Sequence, residues 1–401
     1  MKGRIDMKNL IQYFHPLVWI ILSGTIFART ASFMTIPFLA LYLHNELHAS
    51  PYIIGLTIGI APLFSTFGGF IGGYLTDRFN RKNVLITTLF VWSLTFVGFA
   101  FAPTAILFIV LNAINGLCRS FFEPGTQALM IDYTLDEKKR RLFTVRYTAI
   151  NIAAVIGPLL GVWIATLSSS STPFLIAASM YAVYGLFLLY ILNRYPSNQK
   201  RLSKKQRIQD IFIVTAQDRT LLLLIVGAIL ISLGYSQFSS TLPQLINLNV
   251  VEAVQVFSYC IAANSITVLA LQFPLTMMTE KMSIYRSLVI GICIFATGLV
   301  LFNVSTVVWM FIGSMIVFSI GEIFTFPLMN AAIESIAPDE KKATYLGAAQ
   351  LNNIGGFIGP IFGGWLLVHF TDGMYFVIAL LMLCSIFFYR KALKVTSVDH
   401  L

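Results

Sequence analysis

Apolar runs of about 20 or more residues follow one another along the whole chain, and they constrain it more than any other feature. Leu17–Leu43 and Leu221–Val250 are two of them. About 20 helical residues cross the hydrocarbon of a bilayer. Inside lipid every backbone N–H and C=O must be satisfied internally, so only helices and closed barrels can span it. A barrel would show weaker, alternating segments of about 10 residues. The runs here are continuous, which selects helices. Composition agrees: the 401 residues are 57% hydrophobic and 11% charged, against about 25% charged in a soluble domain.

Cutting the runs at their polar breaks predicts twelve spans: 17–43, 52–76, 84–102, 105–133, 142–166, 171–193, 221–248, 253–279, 287–303, 306–334, 344–369 and 373–389. The first is too long for a signal-peptide core and lacks a small-residue cleavage site, so it reads as a retained span. All but three of the 27 Lys and Arg then fall on one side of the membrane. They lie before the first span, in the loops after the second, fourth, eighth and tenth, in the stretch Arg194–Arg219, and in the tail. The positive-inside rule places that side, with both termini, in the cytoplasm. The net charge of +10 is therefore a topology signal and not a nucleic-acid footprint. The expected location is a cell membrane, with the compact loops suggesting a bacterial inner membrane.

The chain also repeats itself. PGTQALMIDYTLDEKKRR from Pro124 matches PLMNAAIESIAPDEKKAT from Pro327, and NIAAVIGPLLGVW from Asn151 matches NIGGFIGPIFGGW from Asn353. Thr35-Ile36-Pro37 mirrors Thr241-Leu242-Pro243. The three matches keep their order. They predict a six-helix bundle over 1–193, a cytoplasmic linker over 194–220 and a second bundle over 221–401. Parallel six-helix halves with a site between them near mid-membrane suit alternating access by rocking.

Two motifs carry a family resemblance. GYLTDRFNRKNVL, Gly73 to Leu85, places Gly73, Asp77, Arg78, Arg81 and Lys82 on the pattern Gly-x-x-x-Asp-Arg-x-Gly-Arg-Lys, with Asn80 where the pattern has its second Gly. Asn tolerates a left-handed turn better than most residues. The eleventh span carries Gly355, Gly359, Pro360, Gly363 and Gly364, a complete Gly-x-x-x-Gly-Pro-x-x-Gly-Gly. The fifth has only Gly157, Pro158 and Gly161, with Ala153 and Val162 at the remaining positions. The first motif resembles the loop signature of the major facilitator superfamily, and the second its drug–proton antiporters. The resemblance covers the whole chain. It implies an all-α fold of two pseudosymmetric six-helix bundles. It also implies a charge latch in which Asp77 takes part and Arg81 reaches Asp132, and flexing at Gly157-Pro158 and Gly359-Pro360. The Arg usual in the fourth span, four residues before a Gly, is replaced by Asn112 before Gly116. Arg119 is a possible substitute.

Charges in the bilayer centre cost several kcal/mol and usually pair or work. Arg29, Arg119 and Arg146 are the three cations that topology does not explain, and Glu123 and Glu322 lie in the fourth and tenth spans. Arg119 and Glu322 occupy equivalent repeat positions. Glu123, four residues after Arg119, shares its helical face and is expected to neutralise it. Glu322 has no basic residue within a turn and is the leading proton site, with Glu123 second; the plainer reading is a static pair with Arg29 or Arg119. Arg29 and Arg119 suit a carboxylate or phosphate. Arg146, one turn into its span, is expected to snorkel towards the cytoplasm. Asn112, Asn151, Asn353, Tyr235 and Gln237 are candidate cavity-lining groups, with interhelical hydrogen bonding as the equal alternative.

The leading expectation is a proton-coupled exporter of small amphipathic compounds. A transporter of a specific anionic metabolite or siderophore is the alternative, and a lipid or glycolipid translocator a third. An enzyme would need a nucleophile–base or metal constellation. The five His lie at span ends or in tails, and the four Cys have no zinc-like spacing. Without a nucleotide-binding loop, the proton gradient is the expected energy source. No cofactor, metal or nucleic acid is expected. The expected partners are a small-molecule substrate and membrane lipids, around a monomer.

Overall fold

The computed structural model describes residues 13–78, 81–194, 216–338 and 342–396. Twelve helices among them are long and apolar enough to cross a membrane. The first six are single helices: Pro16–Asn45, Pro51–Arg78, Arg81–Phe101, Ala105–Asp132, Asp136–Leu167 and Thr172–Arg194. The fifth starts six residues before the predicted span, because the charged run from Asp136 to Arg141 joins the helix. Lys, Arg and Glu are good helix formers. They extend a helix past the apolar stretch that a hydropathy argument sees.

The second six are less regular. The seventh span is two helices, Arg219–Ser240 and Leu242–Asn249, divided at Thr241. Pro243 sits in the first turn of the second piece, where its missing N–H costs nothing. The repeat-related Pro37 lies inside one unbroken helix. The eighth, ninth and tenth spans are Ala253–Thr279, Ile284–Val304 and Val308–Ile336. The eleventh is Lys342–Ala349, a 3-10 turn at Gln350–Asn352, and Asn353–His369; the twelfth is Met374–Thr396. Caps fix several starts. Asp218 accepts from the amides of Thr220 and Leu221 at 2.9 and 3.0 Å, and Thr104 and Ser283 cap the fourth and ninth spans.

The packing follows the repeat. The first span packs on the fifth, the second on the fourth and the third on the sixth; the seventh, eighth and ninth pair in the same way with the eleventh, tenth and twelfth. The buried apolar side chains form two cores. One draws on residues from Phe14 to Leu192. The other draws on residues from Leu221 to Ala392 and takes Leu41 from the first span.

The halves meet chiefly along two helix pairs, the second with the eleventh and the fifth with the eighth. Small residues make the first of these close. A Cβ on Gly55 would stand 2.1 Å from the Pro360 carbonyl oxygen, and one on Gly364 would stand 2.3 Å from that of Pro51. Gly59 faces the Phe357 carbonyl in the same way, at 2.5 Å. Gly55 lies near the start of the second helix and Gly364 near the end of the eleventh. These backbone approaches therefore lie towards the end opposite the basic loops.

Candidate functional site

The charged side chains of the spans gather where the halves face each other, but not in the pairs that sequence spacing implies. Both Glu123 oxygens are taken. Oε1 accepts from Arg29 of the first span and Oε2 from Arg146 of the fifth. This corrects two expectations. Glu123 does not form its ion pair with Arg119, and Arg146 turns inwards instead of snorkelling. The physical reason is geometric. Residues four apart on one helix can meet, but two guanidiniums from separate helices approach a carboxylate along its two lone-pair directions together, with charge-assisted bonds to each. The triad ties three helices of the first half together. Tyr181 and Trp92 stack beside it, with centroids 4.6 Å apart, and Tyr181 donates to the Ala28 carbonyl at 3.0 Å.

Arg119 is left without a carboxylate within bonding distance among the described residues. Its strongest electrostatic neighbour is another cation, Arg29; Glu123, Tyr235 and Tyr181 lie further down the order. It is exposed although it sits mid-span. Because Tyr235 belongs to the seventh span, Arg119 faces the other half and not lipid.

Glu322 has a different setting. Asn264 of the eighth span donates to its Oε2 at 2.7 Å and to Ser319 Oγ at 2.9 Å. The Tyr235 hydroxyl lies beside the same carboxyl. Tyr147, from the fifth span of the first half, is within electrostatic reach of Glu322 and is 39% exposed. Tyr235 in turn stacks on Phe318 and meets Phe326 edge-on. Thus a carboxyl held by neutral donors and an uncovered guanidinium flank one aromatic side chain at the seam.

The remaining predicted residues divide. Asn112 is buried and donates to the Thr57 carbonyl at 2.6 Å while accepting from Asn115 at 2.9 Å. Gln237 is fully buried; its amide donates to the Leu233 and Gly359 carbonyls and its oxygen accepts from Thr241. Both tie helices together, the interhelical alternative of the two readings that the sequence left open for such amides. Asn151 is buried and donates to the Tyr147 carbonyl at 3.0 Å; Asn353 is half-buried at the start of its helix. Gly157 packs on Thr30 and Phe33 of the first span, and Gly359 on Leu233 and Ser236 of the seventh. Both contacts are within a half, whereas Pro360 lies at the seam. Pro158 is buried in the fifth helix. Asp132 is exposed where the fourth helix ends. Gly73, Asp77, Arg78 and Arg81 lie on helix ends, with side chains outside the described residues. Sequence reasoning missed Asn264, a lone amide in an apolar span, and Gly55 and Gly59, whose four-residue spacing was available.

Comparison with known proteins bears on this arrangement. The family model described as Major Facilitator Superfamily matches residues 21–267 and 224–399. The chain is 38% identical over 362 residues to the uncharacterized MFS-type transporter YqjV of Bacillus subtilis (strain 168), covering 90% of this chain and 88% of that protein. It is 26% identical to a Na(+), Li(+), K(+)/H(+) antiporter of Planococcus maritimus, over 85% of this chain and 87% of the other. It is 25% identical to the multidrug resistance protein MdtH of Yersinia pestis (strain Pestoides F), over 83% and 82%. The fold is shared with the nucleoside transporter NupG, at a TM-score of 0.78 and 15% identity, covering 95% of this chain and all (100%) of that one.

Proposed function

This chain belongs to the major facilitator superfamily, and from that membership we propose that it is a proton-coupled secondary transporter of small amphipathic solutes. The two halves rock about the seam between the second and eleventh spans. Glu322 takes up and releases the proton. One observation carries this reading: of the two carboxyls in the site, Glu123 is clamped by two guanidiniums, whereas Glu322 is held by the neutral donors Asn264 and Tyr235. A carboxylate paired with two cations has little reason to bind a proton. One held by neutral donors near a solvent-reached side chain can exist in either state without breaking an ion pair. The packing of Gly55 and Gly364 brings the second and eleventh spans into backbone contact towards the end opposite the basic loops, and the basic-loop side is the one we assign to the cytoplasm, with both termini. The protein works as a monomer in a bacterial inner membrane, without a bound cofactor and with the proton gradient as its energy source.

The direction of transport depends on the charge of the solute. Export by exchange requires solute and proton to compete, as they do when a cationic compound is attracted to ionised Glu322. The resemblance to drug–proton antiporters and the names of two relatives support that reading. Arg119 favours a second one, in which the solute is an anion. Either way, the test of proton carriage is Glu322→Gln in proteoliposomes, with a transported solute found by a screen under an imposed pH gradient. The variant is expected to lose gradient-driven accumulation while retaining solute exchange. Full gradient-driven transport by Glu322→Gln would overturn the assignment.

A further inference from the structure

The site holds three guanidiniums, of Arg29, Arg119 and Arg146, and two carboxylates, of Glu123 and Glu322. One positive charge is therefore in excess when both acids are ionised. The structure shows which guanidinium is left without a carboxylate partner. Arg29 and Arg146 are spent on Glu123, and Glu322 is bonded to Asn264. Among the described residues, Arg119 alone of the three has no carboxylate in bonding distance, its foremost electrostatic neighbour repels it, and it is exposed in the middle of the bundle. A guanidinium in that position has five donors to offer and a planar face matched to an oxyanion. Beside it stand Tyr235, backed by Phe318 and Phe326, and the exposed ring of Tyr147. These are aromatic surfaces for the apolar part of a bound molecule.

We propose that Arg119 binds the acidic group of the transported solute, an amphipathic organic monoanion of the aromatic carboxylate class, and that the anion and the proton on Glu322 move together in one direction. Bound together with one proton on Glu322, a monoanion leaves the net charge of the site at the one positive charge it has when empty, whereas the dianion of a phosphate monoester changes it. The second clause rests on Glu322 as the proton site. The titratable and charged groups around Arg119 and Glu322 are Arg29, Glu123, Arg146, Tyr147, Tyr181 and Tyr235. Arg29 and Arg146 share the single negative charge of Glu123, so the triad keeps a constant net positive charge, and what varies in the local balance is set by Arg119, Glu322 and the solute. An anion on Arg119 and an ionised Glu322 repel each other, and a proton on Glu322 removes the repulsion. By reciprocity the anion strengthens proton binding by the same factor. Two ligands that favour each other's binding are carried together. A cation would have the opposite linkage and be exchanged.

The experiment uses purified full-length protein and three probes that share one ring system: naphthaleneacetate, naphthyl phosphate and naphthylmethylamine. Binding is read by thermal stabilisation and titration. Naphthaleneacetate is expected to bind the native protein and the amine not to. Arg119→Gln should weaken carboxylate binding by roughly 10–100-fold, the range for losing a hydrogen bond to a charged group, and Arg119→Lys by less. A monodisperse elution profile and an intact melting transition show that each variant folds. The anion site is overturned if naphthaleneacetate does not bind the native protein, if Arg119→Gln binds it unchanged, or if the amine binds instead. It is narrowed to phosphate esters, against the proposal, if only naphthyl phosphate binds. Cotransport is read separately. Over a pH range in which the carboxylate probe stays ionised, its affinity for the native protein should rise as the buffer is made more acidic, and this dependence should vanish in Glu322→Gln. A rise that persists in Glu322→Gln refutes Glu322 as the proton site and leaves the Arg119 site standing. A fall in affinity on acidification refutes cotransport.

Discussion

Substituting Gly55 by Ala places one methyl group where the two halves touch. The added Cβ would stand 2.1 Å from the Pro360 carbonyl oxygen and 2.6 Å from its carbon, both backbone atoms of the opposite half. An ordinary carbon–oxygen contact is about 3.3 Å or longer. The second and eleventh helices must therefore separate by about 1 Å, because a backbone carbonyl inside a helix cannot rotate away. Overpacking of this kind costs about 1–3 kcal/mol. Where the strain is relieved decides what is observed. The contact is made between the two halves, so rocking that parts them at this end removes the clash, and the conformational equilibrium should move by about 5–150-fold towards the state in which they are parted there. Gly116→Ala is the matched control. Its Cβ would stand 2.2 Å from the Ala61 carbonyl oxygen, but Ala61 and Gly116 lie on the second and fourth spans of one half. That strain cannot be relieved by rocking and should appear only as lost stability. The assay is a distance measurement between spin labels at Leu167 and Val251, both exposed and one in each half, in a background with the four native cysteines replaced. Gly55→Ala should add or enlarge a long-distance population, and Gly116→Ala should not. An unchanged distribution in Gly55→Ala, with a loss of stability equal to that of Gly116→Ala, would refute the seam as the moving joint.

Other consequences follow from the polar contacts. Glu123→Gln leaves Arg29 and Arg146 facing each other, with side chains 14% and 12% exposed, without a counter-charge. It should destabilise the protein by about 3 kcal/mol or more, read as a lowered melting temperature in detergent. Arg146→Met, which leaves Glu123 with Arg29, should cost less than Glu123→Gln. Gln237→Leu removes the tie between the seventh and eleventh spans, leaving the Thr241 hydroxyl and the Gly359 carbonyl to find other partners. It should lower stability by about 1–3 kcal/mol while leaving the KM for solute unchanged; a large rise in KM at intact stability would restore Gln237 to the binding site.

The candidate site was legible in its membership more than in its pairing. That Arg29, Arg119, Arg146, Glu123 and Glu322 matter follows from their position in apolar spans. That Glu123 belongs to Arg29 and Arg146 does not, since the partners lie 94 and 23 residues away along the chain while Arg119 is one turn off. Asn112 and Gln237 show the converse ambiguity. A lone amide in a span signals either a cavity or a helix tie, and the signal is the same until its partner is seen.

The chain's apolar runs, basic loops and internal repeat settled by themselves that there are twelve spans in two related sets of six. Insertion into a bilayer responds to the composition of consecutive windows of about 20 residues, and windows are a property of the sequence alone. The tertiary structure decided the rest. Which face each helix turns to its neighbour, and how closely two backbones approach, are fixed by packing among residues far apart in the chain. It broke the seventh span at Thr241 and left its counterpart whole, set Gly55 against the Pro360 backbone of the other half, and spent Glu123 on two cations. It thereby left Arg119 without a carboxylate partner among the described residues and set Tyr235 within reach of both Arg119 and Glu322, an arrangement that no one-dimensional pattern could specify, because it depends on the rotation of helices about their own axes.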